Sequence, residues 1–259
     1  MSHFTLGVFT RKKVEKDAEL AAVMAPFWEG DGEEGLLSRS GYFLFSDQTE
    51  QYRHSYETES VSVLTDEEGN LHFVYGAVQD PPEGERVTRY RLKDFYPTFE
   101  DYMREEGFQS DQNGRYGFWY NPNAKYDYFS IGGRWNGALL TKDGKRVNSA
   151  KVTEIDFERM KRNALAELPP FEEYLAESYL PESYLRGKYP TENDYRTVLS
   201  TFYTFAILTP EGLWLEEGQV GSFGFSSETR EEAMHWINGY RNWLEKYRDC
   251  FLTVLDCHI

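Results

Sequence analysis

The stretch Leu252-Thr253-Val254-Leu255-Asp256-Cys257-His258-Ile259, at the end of the chain, decides how the rest is read. Side chains alternate across a strand, so Leu252, Val254, Asp256 and His258 share one face. Thr253, Leu255, Cys257 and Ile259 share the other. At the opposite end, residues 3–10 alternate in the same way, with Phe4, Leu6 and Val8 set against His3, Thr5 and Gly7. The two terminal strands are expected to pair in the centre of one sheet.

Between these ends the pattern mixes strands and helices. Residues 17–24 have helical spacing and stop at Pro26. Residues 57–65 and 71–78 flank Asp66-Glu67-Glu68-Gly69-Asn70, the signature of a hairpin with a five-residue loop. Thr98 caps a helix through residue 106, with Asp101 in the answering position. Residues 111–123 read as a loop. Residues 126–131 and 135–141 read as strands joined through Gly132-Gly133-Arg134, and Asp143-Gly144 makes a tight turn. Helical periodicity runs over 153–168, halts at Pro169-Pro170, and resumes over 171–184 with a break near Pro181. Residues 187–193 are the best linker candidate. Residues 201–208 alternate up to the turn Thr209-Pro210-Glu211-Gly212, and 213–216 return. Residues 218–224, with three glycines, read as a loop, and Thr229 with Glu232 caps a helix through about residue 247. The reading is an α+β fold: a mixed or mostly antiparallel sheet containing both terminal strands, one domain over 1–259, with 153–200 as a helical insertion.

The chain has 259 residues, 44 acidic against 28 basic, for a formal charge of −16; 40% of residues are hydrophobic and 17% aromatic. That much apolar material excludes a disordered chain. No apolar run is long enough for a membrane span, and residues 1–4 do not open a signal peptide. Two cysteines, Cys250 and Cys257, make no disulfide framework, which fits a reducing cytoplasm. The charge argues against direct nucleic-acid binding, which needs a basic footprint, and against anionic membranes. It leaves two readings: a solubilising surface, or an acidic face aimed at a partner protein with a basic surface.

Three blocks carry a resemblance: Met1-Ser2-His3-Phe4-Thr5; Asn121-Pro122-Asn123-Ala124-Lys125-Tyr126-Asp127-Tyr128 running into Ile131-Gly132-Gly133-Arg134-Trp135-Asn136-Gly137; and the tail from Thr204-Phe205-Ala206-Ile207-Leu208 to Leu252-Thr253-Val254-Leu255-Asp256-Cys257-His258-Ile259. They cover roughly a fifth of the chain. In these blocks the chain resembles a family of uncharacterised proteins encoded by bacteriophages and prophages. The family more often has Trp where Tyr126 and Tyr128 stand. The resemblance implies a viral origin, hence a host-cell cytoplasm, and supplies no activity.

Two constellations could carry chemistry. Asp256 beside His258 can fix an imidazole tautomer for a general base or a metal ligand, and His3 on a neighbouring strand would complete a trio. The plain alternative is a polar pair bonded to backbone at a strand end. No His-x-x-x-His or Cys-x-x-Cys spacing points to a metal, and no motif points to a cofactor. The second constellation is Asn121, Asn123, Asp127, Arg134 and Trp135. Two glycines let backbone approach a ligand, with a guanidinium and an indole beside it. The alternative is architectural: Arg134 pairs with Asp127 or another buried acid, and Trp135 is core. A composite pocket would join Asn121, Asn123, Asp127, Arg134 and Trp135 to Asp256 and His258. The thiol of Cys257 faces away from Asp256 and His258. No nucleophile elbow, kinase or zincin pattern occurs, so no catalytic residue is assigned. The aromatic run Tyr116, Phe118, Trp119, Tyr120 is either core or an exposed interface patch. The expected function is that of a phage-type accessory or counter-defence protein. It would bind a host factor, such as a nucleic-acid-binding defence enzyme, through an acidic, aromatic-bearing face. The alternative is a small-ligand or nucleotide-binding protein, or an enzyme, using the composite pocket.

Overall fold

The computed structural model describes residues 3–30, 41–66, 68–74, 86–108, 110–217 and 230–259. The expected loop at 218–224 and the expected cap Thr229 lie outside them. The chain groups into two compact units, Met1–Asp31 with Asn123–Ile259 (unit 1) and Gly32–Pro122 (unit 2). A reading of one continuous domain does not anticipate this division, because no break in composition marks either boundary.

Unit 1 is built on β1 (His3–Thr10) and β13 (Phe251–His258), which pair antiparallel over eight residues, from His3 opposite His258 to Thr10 opposite Phe251. The sheet order is β10 (Ser149–Lys151), β13, β1, β11 (Ala206–Leu208), β12 (Trp214–Glu216); β7 (Tyr128–Ile131) pairs with the second half of β13. Only β1 and β11 run parallel, so the sheet is mixed, as expected for both terminal strands at its centre. Alternation works on both faces. Phe4, Leu6, Val8, Leu255 and Cys257 pack under Leu20 and Met24 of α1 (Asp17–Met24). Phe9, Leu252 and Val254 pack under Tyr240 of a long C-terminal helix, Arg230–Lys246. Gly7 is the contact point: a Cβ there would lie 2.9 Å from Thr204 Oγ1 and 3.0 Å from the Tyr240 hydroxyl.

Four helices fill residues 157–200: Phe157–Glu167, Phe171–Glu177, Glu182–Lys188 and Glu192–Ser200. The first starts later than expected because Asp156, not Thr153, caps it, accepting from the Arg159 amide. The expected linker at 187–193 is corrected. It is a tight helix-to-helix turn with Tyr189 buried, and Thr191 caps the next helix through the Asp194 amide. Tyr189, Tyr195 and Val198 share a core with Ile237 of the long helix, so this stretch is integral to unit 1.

Unit 2 holds β2 (Leu44–Asp47) paired with β6 (Gly117–Tyr120), and a sheet ordered β4 (Leu71–Val74), β3 (Ser60–Thr65), β5 (Arg86–Arg91). The 66–70 hairpin joins β3 and β4 as read, with Asp66 bonded to the Asn70 amide across it; residues 75–78 of the expected second strand lie outside the described residues. Thr98 caps Phe99–Glu105 through the Asp101 amide, also as read. Two readings fail here. Residues 49–58 form a helix, Thr49–Thr58, which overruns the expected start of the strand; only Tyr56 on it is buried, so it shows no apolar stripe. Residues 117–120, read as loop, are β6.

Candidate functional site

The site forms where the second half of β13 meets the block after β7. Gly132 and Gly133 have φ of +75° and +46°, and a 3₁₀ turn, Gly133–Trp135, follows. The expected strand over 135–141 is therefore corrected: the backbone turns through 133–135, and the strand is Leu139–Leu140 (β8), paired with Arg146–Val147 (β9). The Gly132 amide donates to the Val254 carbonyl at 2.9 Å, and the Trp135 amide to the Gly132 carbonyl at 2.7 Å. This aims the Arg134 amide at β13, where it donates to Asp256 Oδ2 at 3.0 Å.

Asp256 is 2% exposed. Its other oxygen, Oδ1, meets His3 Nδ1 at 2.7 Å. Burial pushes this carboxyl upward, but the Arg134 amide, the His3 bond and the charges of His3 and Arg134 outweigh it, and the group ends below its ordinary range. His258 is held in the same manner from the other side, its Nδ1 2.7 Å from both oxygens of Asp127. The His3 and His258 rings lie edge to face, centroids 4.9 Å apart. Two imidazoles, each gripped at Nδ1 by its own carboxylate, thus stand side by side. With Nδ1 turned to a carboxylate, a neutral ring leaves Nε2 as its acceptor.

Next to this cluster, on the same sheet face, lies a cavity of about 340 Å³. Thr5 and Val254 form its floor; each is two residues along its strand from His3 and Asp256 respectively. Trp135 lines one side, Met160, Phe202 and Tyr203 others, and Ser200 is buried at the edge. The Ser200 hydroxyl has no hydrogen-bond partner among the described residues. Thr5 follows from the alternation that places His3. Ser200 and Phe202 carry no sequence signal, since a helix end and a connector reach the sheet only through tertiary packing.

The blocks expected to meet do meet: Asp127, Arg134, Trp135, Asp256 and His258 all contribute to this region. Three expectations are corrected. Arg134 does not pair with Asp127; His258 takes that carboxylate, and the Arg134 side chain is exposed. The trio His3, Asp256, His258 does not converge as one ligand set, since His3 bonds Asp256 while His258 bonds Asp127; among the described residues no group of three His, Cys, Asp or Glu side chains is placed to hold a metal ion. Asn121 falls in unit 2, where it is buried, and so is not grouped with the other expected pocket residues; Asn123 is exposed at the start of unit 1. Cys257 faces the opposite core, and burial pushes its thiol far up, with Asp256 adding to it. The aromatic run divides by face: Phe118 and Tyr120 are exposed, while Tyr116 packs on the unit 2 core and Trp119 on Phe45.

Comparison with protein-family models, with curated proteins and with solved structures finds no match to this chain. Among the described residues no helix is long and apolar enough to cross a membrane.

Proposed function

We propose that this protein binds a small organic ligand at the Asp256 region. The ligand's apolar or flat body would lie in the cavity beside Trp135, with a polar or anionic end toward His3 and Arg134. The observation that carries this reading is the continuity of one sheet face from an aromatic-walled cavity, with an unpartnered buried hydroxyl, to two carboxylate-held imidazoles and an exposed guanidinium. Ligand pockets combine a mostly apolar lining with a few fixed polar groups. His3 and His258 are oriented as groups that exchange a proton with a bound molecule would be.

Arg134 tests the reading. Its side chain is exposed, and among the described residues it makes no ion pair. Arg134→Ala is therefore expected to shift the melting temperature by no more than about 2 °C, the usual range for a surface substitution. The same change should remove the small molecule that native mass spectrometry finds on wild-type protein from a bacterial lysate. A wild type carrying no small molecule, or a variant that keeps it, counts against the reading.

A second reading rests on unit 2. The pairing of β2 with β6 sets Leu44 opposite Tyr120 and Ser46 opposite Phe118, so Leu44, Phe118 and Tyr120 share one face. They are 53%, 50% and 41% exposed. Residues 32–122 carry 18 acidic against 8 basic side chains. An apolar centre within so acidic a unit fits a basic surface on a partner protein, which a viral origin would place in the host cell. Host proteins captured in about 50 mM salt should be lost at about 300 mM, where the Debye length is well below 10 Å. They should also be lost on Phe118→Ser. Capture indifferent to both removes this reading.

A further inference from the structure

A groove of about 400 Å³ lies on unit 1 between α1 and β7. One wall is α1, whose Ala18 and Ala21, with Ala25 one turn on, leave the helix surface without long side chains. The other wall is aromatic: Trp28, Tyr126, Tyr128 and Phe129. Two carboxylates complete the lining. Asp17 accepts the Ile131 amide at 2.9 Å and so ties the start of α1 to β7, and Asp127 is the residue that holds His258. Among the described residues no Lys or Arg lines the groove. Lys125, nearby in sequence, is committed to Glu216 at 2.8 Å.

The walls are fixed before any ligand arrives. The Trp28 indole donates to the Asp127 carbonyl at 2.8 Å, and the Glu29 amide donates to the Tyr126 carbonyl at 2.8 Å. The Lys125 amide donates to the Phe27 carbonyl at 2.8 Å. Segments 27–29 and 125–127 are therefore tied to each other.

We propose that this groove binds a small organic ammonium ion. An anion would face two carboxylates, with no Lys or Arg among the described lining residues and only the His258 imidazole behind Asp127. A neutral apolar molecule would take water from those carboxylates and return nothing for it. An alkylated ammonium meets both demands: its apolar shell contacts the rings, its charge is attracted by their π faces, and the carboxylates neutralise it. The groove is large enough to admit such an ion. The inference is independent of the ligand reading for the Asp256 region, although Asp127 borders both.

Tetramethylammonium chloride is the probe, titrated into ¹⁵N-labelled full-length protein, with the Trp28 indole signal assigned through Trp28→Phe. Saturable shifts of that signal and of the Tyr128 and Phe129 amides are expected. tert-Butanol, similar in shape and uncharged, should not produce them. Asp17→Asn keeps an acceptor for the Ile131 amide and removes one charge, and should weaken binding about two- to fivefold, the worth of one partly screened charge contact. Ala18→Leu places a helix-favouring side chain at an exposed position inside the groove and should abolish the shifts. Equal shifts with tert-butanol, no saturable shift, a response to a lysine-rich peptide alone, or indifference to both substitutions would each overturn the proposal. The readout comes from Trp28, so it reports on the groove whatever the Asp256 region holds.

Discussion

Gly133→Ala is expected to destabilise unit 1 by about 3–5 kcal/mol, combining a left-handed backbone penalty with overpacking of a closed site. A Cβ built on Gly133 would lie 2.4 Å from both Cβ and Oδ2 of Asp256. The Cβ cannot rotate away, because it is fixed to the β13 backbone. The carboxylate is also held, by His3 Nδ1 at 2.7 Å and the Arg134 amide at 3.0 Å. Relief requires the 132–135 turn to lift off β13, which breaks the Arg134 bond to a buried carboxylate. Gly144 supplies the control. It too has a positive φ, +86°, but the nearest atom to its added Cβ is Arg159 Nη1 at 3.7 Å. Gly144→Ala should therefore cost only the backbone term, about 1–2 kcal/mol. At about 2–4 °C per kcal/mol for a chain segment of this size, a difference of about 1–4 kcal/mol separates the two melts by roughly 2–16 °C. Equal melting temperatures would mean that the Gly133 contact is not what sets this turn.

That comparison also shows where the sequence was legible. Two adjacent glycines signal close backbone approach, but not what approaches. The partner is a side chain 123 positions away, and it becomes visible only when β13 and the turn share a sheet edge. The terminal strands were readable because alternation over eight residues leaves one arrangement that buries Phe4, Leu6, Val8, Leu255 and Cys257 together. The same alternation placed Asp256 and His258 on one face and Cys257 on the other. Alternation could not say which carboxylate each histidine takes. Asp127 goes to His258 because β7 pairs with the end of β13, a register set by tertiary structure. The helix Thr49–Thr58 and the strand Gly117–Tyr120 escaped for local reasons. The first buries a single side chain, and the second is four residues among turn-forming neighbours. The helical stretch 157–200 was legible as helices but not as part of unit 1, since what unites it with the sheet is Ile237, on a helix 30 residues further on.

Asp256→Ala is expected to cost about 3–5 kcal/mol, the usual penalty for removing one partner of a buried, bonded charge. The loss strands the Arg134 amide and His3 Nδ1 in a site that is nearly closed to water. Asp256→Asn keeps the shape and one acceptor oxygen, so it should cost less at neutral pH, and it separates charge from packing. The pH dependence follows from the direction of the Asp256 shift. Its carboxyl lies below the ordinary range in the folded state, so the unfolded chain binds the proton more readily. The stabilisation is therefore fully present above about pH 4, the ordinary carboxylate value, and fades as pH falls through the lower folded value. Other depressed carboxyls act in the same window, among them Asp111 at about 2, where the Arg115 amide and side chain outweigh desolvation, and Asp194, lowered first by Thr191. The informative quantity is accordingly the difference between wild type and Asp256→Asn, followed by hydrogen exchange of the β1 and β13 amides. That difference should be largest near neutrality and shrink as pH falls from about 4.5 toward 2, because acid converts the wild-type carboxylate into a neutral group resembling the variant's amide. Parallel profiles would show that the Asp256 charge contributes nothing to the fold. An Asp256→Ala protein as stable as wild type would show that the meeting of the Gly-Gly-Arg-Trp and Asp-Cys-His-Ile blocks is incidental to it. If Asp256→Asn proves mild in stability yet loses the molecule held beside Trp135, the carboxylate belongs to the ligand site more than to the architecture.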